Sequence, residues 1–409
     1  MKPAVDPAAS AGRSAWPAGF GFFAGHCGLK KNSAPDLVWI LAEPPARAAA
    51  VFTTNRLQAA PVRLSRRHLA AARGRVRAIV INSGNANCAT GAAGERAARA
   101  VARAAAQPLG ARPEEVFLAS TGVIGLPLPG EKIIAQLARW TVRRDASPGD
   151  DGPAAAAQAI LTTDTRAKLA AATFIHGRRR YHVAGFAKGA GMIHPRMATM
   201  LAFLFTDAPL GAAALRRALV LAVEQSFHRI TVDGDTSTND TVAIFASGPP
   251  PPAFGSGGQP AFQRCLNEVA ASLARQIVLD GEGAKRFITV RVTGARTAAD
   301  ADRAARAIAH SPLVKTAIAG ADANWGRILC AAGYSGARFD PEKAAIRCNG
   351  LALYRRGRAL PFDEAGARRR LNVPTVEIAL DLGAGHAASW LWTCDLTEEY
   401  IRINASYRS

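Results

Sequence analysis

Residues 188–205 read KGAGMIHPRMATMLAFLF, in which a glycine-rich turn and a proline precede a threonine and an unbroken apolar run. The run 200–205 has the length of one strand and carries no polar residue on either face. Such a run predicts a strand buried on both sides, although periodicity alone does not distinguish it from a short helix. A doubly buried strand needs cover over each face, so the segment favours a layered α/β fold.

The rest of the chain alternates between strand and helix patterns, which favours an α/β (α+β layered) sandwich over a helix bundle. The predicted strands are 78–81, 116–119, 242–245 and the alternating apolar stretches 288–292 and 376–382. The predicted helices are 95–106, which follows the turn residues Gly91 and Gly94, about 150–161, and 262–279. The run 247–260, SGPPPPAFGSGGQP, predicts a loop, because consecutive prolines lack backbone N–H groups.

We divide the chain into three regions on this pattern. Residues 1–208 form an N-terminal catalytic region that contains the opening segment. Residues 209–285 form a middle α/β region, and residues 286–409 form a smaller C-terminal α/β domain.

The chain of 409 residues carries 51 Lys and Arg against 31 Asp and Glu, a formal net charge of +20. The excess is mostly arginine dispersed through an alanine-rich sequence, with short runs at 178–180 and 368–370. Nucleic-acid-binding proteins usually concentrate charge on one face or arm and show a recognisable module. We therefore expect no nucleic-acid partner.

The six cysteines lie far apart, with no C-x-x-C pair and no Cys/His spacing typical of zinc. No run reaches the length of a membrane helix, and the N-terminus has no apolar leader core. We expect a cytoplasmic protein with reduced thiols and no membrane partner. The spacing of Asp233, Asp235, Ser237 and Asn239 resembles the start of a calcium loop, but the required glycine and glutamate are missing, so no metal site is predicted.

Thr199, at the edge of the buried run, is a candidate nucleophile. A threonine hydroxyl is weak until a base activates it, and a β-branched residue in a strand is in itself ordinary. His194 could be that base or simply a turn residue. A second route is cleavage just before Thr199, which frees an α-amine whose ordinary pKa is about 7.7 to 8.0.

The segment KGAGMIHPRMATML resembles the self-cleavage motif of the ornithine acetyltransferase (glutamate N-acetyltransferase) family. Further family landmarks occur in the family's order and extend the resemblance from about Gly19 to the last residue. They are INSGNANCATG at 81–91, STGVIG at 120–125, TTDT at 162–165, VDGDTSTNDT at 232–241, DGEGA at 280–284, NWGR at 324–327 and RINASYRS at 402–409.

The resemblance implies a self-cleaving, N-terminal-nucleophile-like acyltransferase architecture. Cleavage between Ala198 and Thr199 would give an α chain of residues 1–198 and a β chain of residues 199–409. Thr199 would then take the acetyl group of N-acetylornithine and pass it to glutamate. Thr121 and Gly122 match the family's oxyanion-hole positions, where preorganised donors meet developing negative charge.

By the same resemblance, substrate binding falls to Thr162, Lys188, Thr199, Glu282, Asn404 and Ser409. A lysine or hydroxyl suits the substrates' carboxylates, and Glu282 suits the terminal ammonium of ornithine. Whether Thr162 or its neighbour Thr163 makes the contact is open at this point. The family works without metal or redox cofactor, as an assembly of two α and two β chains, and the sequence leaves open whether acetyl-CoA also donates acetyl groups.

Two positions depart from the family pattern. Arg196 stands where asparagine is usual, three residues before the nucleophile, and Ser409 stands where threonine is usual. The first change could alter the rate of cleavage, whereas the second keeps a hydroxyl. The alternative function is a self-cleaved aminopeptidase or amidase, in which water takes the acyl group from the same nucleophile.

Overall fold

The computed structural model describes residues 16–146, 150–194, 200–249 and 257–405. Its strands are β1 (Phe20–Gly25), β2 (Leu37–Phe52), β3 (Arg75–Asn82), β4 (Val116–Ser120), β5 (Lys168–His176), β6 (Arg179–Lys188), β7 (Leu201–Thr206), β8 (Thr241–Ala246), β9 (Phe287–Ala295), β10 (Ala345–Cys348), β11 (Leu351–Arg355), β12 (Arg358–Ala359), β13 (Thr375–Asp381) and β14 (Ala387–Cys394).

The helices are α1 (Ala60–Ala71), α2 (Gly91–Ala106), α3 (Gly130–Ala146), α4 (Gly152–Ala159), α5 (Ala212–Glu224), α6 (Gly258–Leu279), α7 (Ala298–His310), α8 (Pro312–Ala319), α9 (Trp325–Gly333), α10 (Glu364–Leu371) and α11 (Glu398–Ala405). Among the described residues, no helix combines the length and the apolarity needed to cross a membrane.

The chain forms two compact units. The larger contains the described residues up to His228 and those from Asp235 to Ile277, and the smaller contains Arg229–Gly234 and the described residues from Val278 onward. The described residues of 209–228 and 235–277, which the sequence pattern places in a middle region, therefore belong to the larger unit. The reason is sheet pairing, because β8 lies between β2 and β7.

The larger unit is built on one sheet with the strand order β4-β3-β2-β8-β7-β6-β5, and β1 pairs with β2. The first half of β2 pairs with β1 and β3, and its second half pairs with β8, with β3 still paired at Ala46 and Arg47. The rings of Phe117 on β4 and Phe245 on β8 are 5.5 Å apart, and those of Phe22 on β1 and Phe205 on β7 are 5.6 Å apart. These strands are not neighbours in the sheet, so the ring contacts bring its two halves face to face.

Side chains of β2 alternate between two apolar cores. Val38 and Ile40 join the core between the sheet halves, whereas Leu37 and Trp39 join a core with residues of α1, α2 and α3. The alternation follows from the two-residue period of a strand. The predicted layered α/β class is confirmed.

Strand β7 is confirmed at the position the opening segment predicts. All six of its residues are buried. It pairs antiparallel with β6 and parallel with β8, which leaves no exposed edge.

Two helices begin earlier than predicted. Helix α6 begins at Gly258 rather than residue 262, because Pro260 lies in the first turn, where a backbone N–H is not needed. Helix α2 begins at Gly91 rather than residue 95. Gly94 therefore lies inside the helix. A Cβ there would lie 2.0 Å from the Thr90 hydroxyl oxygen, so glycine is needed for close packing and not for a turn.

The smaller unit has a sheet of order β12-β11-β10-β13-β9-β14, in which β9 and β13 are parallel. Ile288, Val290 and Val292 of β9 are buried together with Ile378 of β13 and Ile308 of α7 in one core. The intervening residues of both strands are more exposed, so the predicted half-buried strands are confirmed.

Candidate active site

Three of the predicted site residues lie together in the larger unit. Lys188 ends β6 with its side chain buried, and its Nζ donates to Thr162 Oγ1 at 2.8 Å and to Thr121 Oγ1 at 3.4 Å. Thr121 follows β4 directly. In the TTDT motif, Thr162 is the threonine that contacts Lys188. Which of Thr162 and Thr163 contacts the substrate stays a prediction.

Asp164 connects this group to a second buried lysine. Its carboxylate lies 2.7 Å from Lys168 Nζ and 3.8 Å from Lys188 Nζ, and it accepts the N–H of Gly189 at 2.6 Å. Burial alone would raise the pKa of Asp164, but Lys188 and Lys168 hold that pKa well below its ordinary value. The carboxylate is thus ionised between two ammonium groups.

A third lysine adds to the positive charge. Burial lowers the pKa of Lys30; Asp36 opposes the shift, and the nearby charge of Lys188 reinforces it. Lys30 Nζ also donates to the carbonyl oxygen of Pro35 at 2.7 Å. A region with lysines around Asp164 suits an anionic group such as a carboxylate. Asp164, Lys168 and Lys30 were not predicted from the sequence, although Asp164 lies within the quoted TTDT motif.

Gly122 has a backbone that only glycine fits. Its φ is +132°, and a Cβ at this position would lie 2.3 Å from the carbonyl carbon of Gly84 and 2.5 Å from the nitrogen of Asn85. Both values are far inside van der Waals contact. The loop after β4 therefore packs against the loop after β3 with no room for a side chain.

This loop presents two hydrogen-bond donors. The N–H groups of Thr121 and Val123 donate to the carbonyls of Asn82 and Gly84 at 2.9 and 3.4 Å, whereas the N–H of Gly122 has no acceptor among the described residues. A lysine ammonium only donates, so Thr121 Oγ1 is the acceptor for Lys188 and its own proton is available to another group. Two neighbouring donors of this kind can stabilise an oxyanion.

Buried asparagines hold the two loops in place. Asn239 Nδ2 donates to the carbonyls of Ala86 and Ser120 at 2.7 and 2.8 Å. Asn82 Nδ2 donates to the Asn85 carbonyl at 2.8 Å, and Asn82 Oδ1 accepts the Ser120 hydroxyl at 2.6 Å. These asparagines stand in motifs quoted from the sequence, but no role was predicted for them. The asparagine cluster beside Gly84 in the first motif was the available signal, because amides can pair with loop carbonyls.

Three predicted residues lie outside the described part of the chain: Ala198 and Thr199 at the proposed cleavage site, and Ser409 at the C-terminus. Met200, which follows Thr199, is described and buried, and β7 begins at the next residue.

Glu282 and Asn404 lie together in the smaller unit. Asn404, on α11, donates from Nδ2 to Glu282 Oε2 at 2.8 Å. Glu282 is only 7% exposed. An acidic side chain this buried is uncommon and needs a partner, either within the protein or from a cationic ligand.

The loop that carries Glu282 is fixed on both sides. A Cβ on Gly283 would lie 2.5 Å from the nitrogen of Tyr400, so α11 packs directly on this glycine. Thr397 Oγ1 donates to the Gly283 carbonyl at 2.7 Å, and Asp395 Oδ1 accepts the N–H groups of Lys285 and Arg286 at 2.8 and 2.9 Å.

The model of the ArgJ family matches residues 22–409 of this chain. The chain belongs to the ArgJ family. The arginine biosynthesis bifunctional protein ArgJ of Symbiobacterium thermophilum is 48% identical over 399 residues, which cover 96% of this chain and 98% of that protein. As an ArgJ protein, the chain is an enzyme of arginine biosynthesis and an acyltransferase, as the sequence predicted.

Two solved structures also resemble the chain. The arginine biosynthesis bifunctional protein argJ of Bacillus halodurans is 42% identical and covers 51% of this chain and 100% of its own, with a TM-score of 0.48. The ornithine acetyltransferase of Mycobacterium tuberculosis, complexed with ornithine, is 39% identical and covers 44% of this chain and 92% of its own, with a TM-score of 0.39.

Proposed function

We propose that this ArgJ protein transfers the acetyl group of N2-acetyl-L-ornithine to L-glutamate through an acetyl ester of Thr199. The products are L-ornithine and N-acetyl-L-glutamate. The observation that carries the proposal is the pair of donors at Thr121 and Gly122 beside buried Lys188. Acyl transfer requires stabilisation of an oxyanion, and two neighbouring donors of this kind can supply it.

The cycle begins with self-cleavage between Ala198 and Thr199. The cut gives chains 1–198 and 199–409 and leaves Thr199 with a free α-amine. Near neutral pH part of such an amine is neutral and can accept the proton of its own hydroxyl. The α-amine thus acts as the base, and the threonine becomes a nucleophile without a separate histidine. The role of base is the one that the sequence left open for His194.

In the first half-reaction, Thr199 Oγ attacks the acetyl carbonyl carbon, and its proton moves to the α-amine. The carbonyl oxygen becomes an oxyanion that accepts hydrogen bonds from the Thr121 hydroxyl and the Gly122 N–H. The C–N bond then breaks, the α-amine returns the proton to the leaving nitrogen, and ornithine departs. In the second half-reaction, the amine of glutamate attacks the ester, and Thr199 leaves with a proton.

Substrate binding follows from charge. Lys188, supported by Thr162 and Asp164, binds a carboxylate of either substrate. Glu282, with Asn404, binds the terminal ammonium of ornithine. Ser409 completes the set of substrate-binding residues that the family resemblance predicts.

We further propose that no metal or redox cofactor takes part in the chemistry and that two copies of each chain form the active assembly.

The test is acetyl transfer with purified enzyme and N-acetylornithine, with and without glutamate. We expect N-acetylglutamate and ornithine in equal amounts, and negligible acetate when glutamate is absent. Acetate release that is independent of glutamate would contradict transfer and would instead support the amidase alternative. A parallel reaction with acetyl-CoA and glutamate asks whether this chain also uses a thioester donor.

A further inference from the structure

Asp240 holds the residue that follows the proposed nucleophile. Its Oδ1 accepts the N–H of Met200 at 2.9 Å, and the N–H of the next residue, Thr241, donates to the Met200 carbonyl at 3.1 Å. Both polar backbone groups of Met200 are therefore paired with consecutive residues at the start of β8. Met200 is itself buried.

The Asp240 carboxyl is unusual in its surroundings. It is fully buried, and its second oxygen has no hydrogen-bond partner among the described residues. Burial raises the pKa of Asp240 well above its ordinary value, against the opposing effects of the Met200 N–H, Ser237 and Lys188. Burying a carboxyl costs stability, whereas an apolar residue at this position would leave the Met200 N–H buried without its acceptor. The carboxyl therefore has a reason tied to the group it holds.

The position of Met200 supplies that reason. The Met200 N–H belongs to the peptide bond that joins Met200 to Thr199, so the hydrogen bond to Asp240 is one covalent link from the proposed nucleophile. After cleavage Thr199 would be a chain end, held to the protein by this one peptide group. Chain ends fray unless they are tied down.

We propose that Asp240 is a positioning residue for Thr199: by accepting the Met200 N–H, it holds the newly formed chain end so that the nucleophile is correctly placed for acyl transfer. The inference rests on the proposed function. It assigns Asp240 a role in the placement of the nucleophile and none in contact with the substrate.

The decisive comparison is between Asp240→Leu and Asp240→Asn. Both replacements are close in size to aspartate and uncharged, but only asparagine keeps an oxygen that can accept the Met200 N–H. Asp207→Leu is the matched control, because Asp207 accepts the His182 N–H at 2.8 Å beyond the other end of β7. Asp207 takes no part in the proposed chemistry.

With cleaved enzyme, we expect Asp240→Leu to lower kcat about 10- to 100-fold, the range that a small misplacement of a reacting group produces. The KM values for both substrates should change less than about twofold, because ground-state binding does not use Asp240. Asp240→Asn should restore kcat to within about threefold of the wild type. Asp207→Leu should keep the wild-type kcat.

Unchanged kcat in Asp240→Leu would overturn the proposal, as would equal losses in Asp240→Leu and Asp240→Asn. If Asp240→Leu does not fold, hydrogen exchange of the cleaved wild type decides: the Met200 amide should be protected, and rapid exchange there would overturn the proposal. A wild type that neither cleaves nor transfers acetyl groups would instead contradict the proposed function.

Discussion

Lys188 and Thr162 are joined by a 2.8 Å hydrogen bond from Nζ to Oγ1, which brings the end of β6 next to the loop that precedes β5. The bond helps to hold the Lys188 ammonium in place, together with Thr121 Oγ1 at 3.4 Å and the Asp164 carboxylate at 3.8 Å.

Thr162→Val should lower kcat/KM for acetyl transfer about tenfold, because it removes the acceptor but keeps the branched shape. Thr162→Ser, which keeps the hydroxyl, is the control and should stay close to the wild type. Steady-state kinetics with both substrates test this. Equal activity of the valine and serine variants would show that the hydrogen bond does not matter for turnover.

Asp164→Asn should destabilise the protein by about 3 to 5 kcal/mol at pH 7, because it leaves two buried ammonium groups without their carboxylate. The surface variant Asp145→Asn should change stability by less than about 1 kcal/mol. Urea unfolding of both variants checks the difference.

The effect of Asp164 also depends on pH. Its folded-state pKa is lowered, so its contribution to stability is complete above an unfolded pKa of about 3.9 and is lost gradually as pH falls from that value through the lowered folded-state pKa. The stability curves of the wild type and Asp164→Asn should therefore begin to converge below about pH 4. A difference that stays constant down to pH 3 would mean that the carboxylate is not the source of the stabilisation.

Gly122→Ala should lower kcat by at least about 100-fold, because the new Cβ would displace the loop that presents the oxyanion donors. Gly125→Ala is a matched control: Gly125 also has positive φ, at +87°, but a Cβ there would meet no atom within 4 Å. Kinetics on folded, cleaved enzyme should separate the two variants. Similar kcat values for both would remove Gly122 from the proposed oxyanion hole.

Glu282→Gln should raise KM for N-acetylornithine about 10- to 100-fold, since it removes the negative charge that pairs with the ornithine ammonium. The KM for glutamate, which has no such ammonium, should change little. Glu399→Gln provides a control, because Glu399 is an exposed acid paired with Arg402 on α11. A parallel rise in both KM values would indicate a general disturbance of the loop instead of charge recognition.

The strands could be predicted because their patterns are local. Six apolar residues in a row specify the doubly buried β7, and strict alternation specifies β13. The early start of α2 could not be predicted, since Gly94 is required by the position of the Thr90 side chain and not by its own turn preference.

The centre of the candidate site was harder to predict for a similar reason. The family motifs placed Thr121, Thr162 and Lys188, but nothing in the sequence indicates that Asp164 lies between two buried lysines. The link from Asn239 to the loops at Ala86 and Ser120 likewise depends on contacts between distant segments. Such contacts are created by folding and leave no periodic signal.

The proposed mechanism depends on Thr199 becoming a chain end, and intact mass under denaturing conditions measures this. We expect the wild type to give two chains, residues 1–198 and 199–409, and Thr199→Ala to give one uncut chain. Arg196→Asn, which restores the residue usual in the family, should give the same two chains and shows whether Arg196 slows the cut. A single uncut wild-type chain that still transferred acetyl groups would contradict the mechanism.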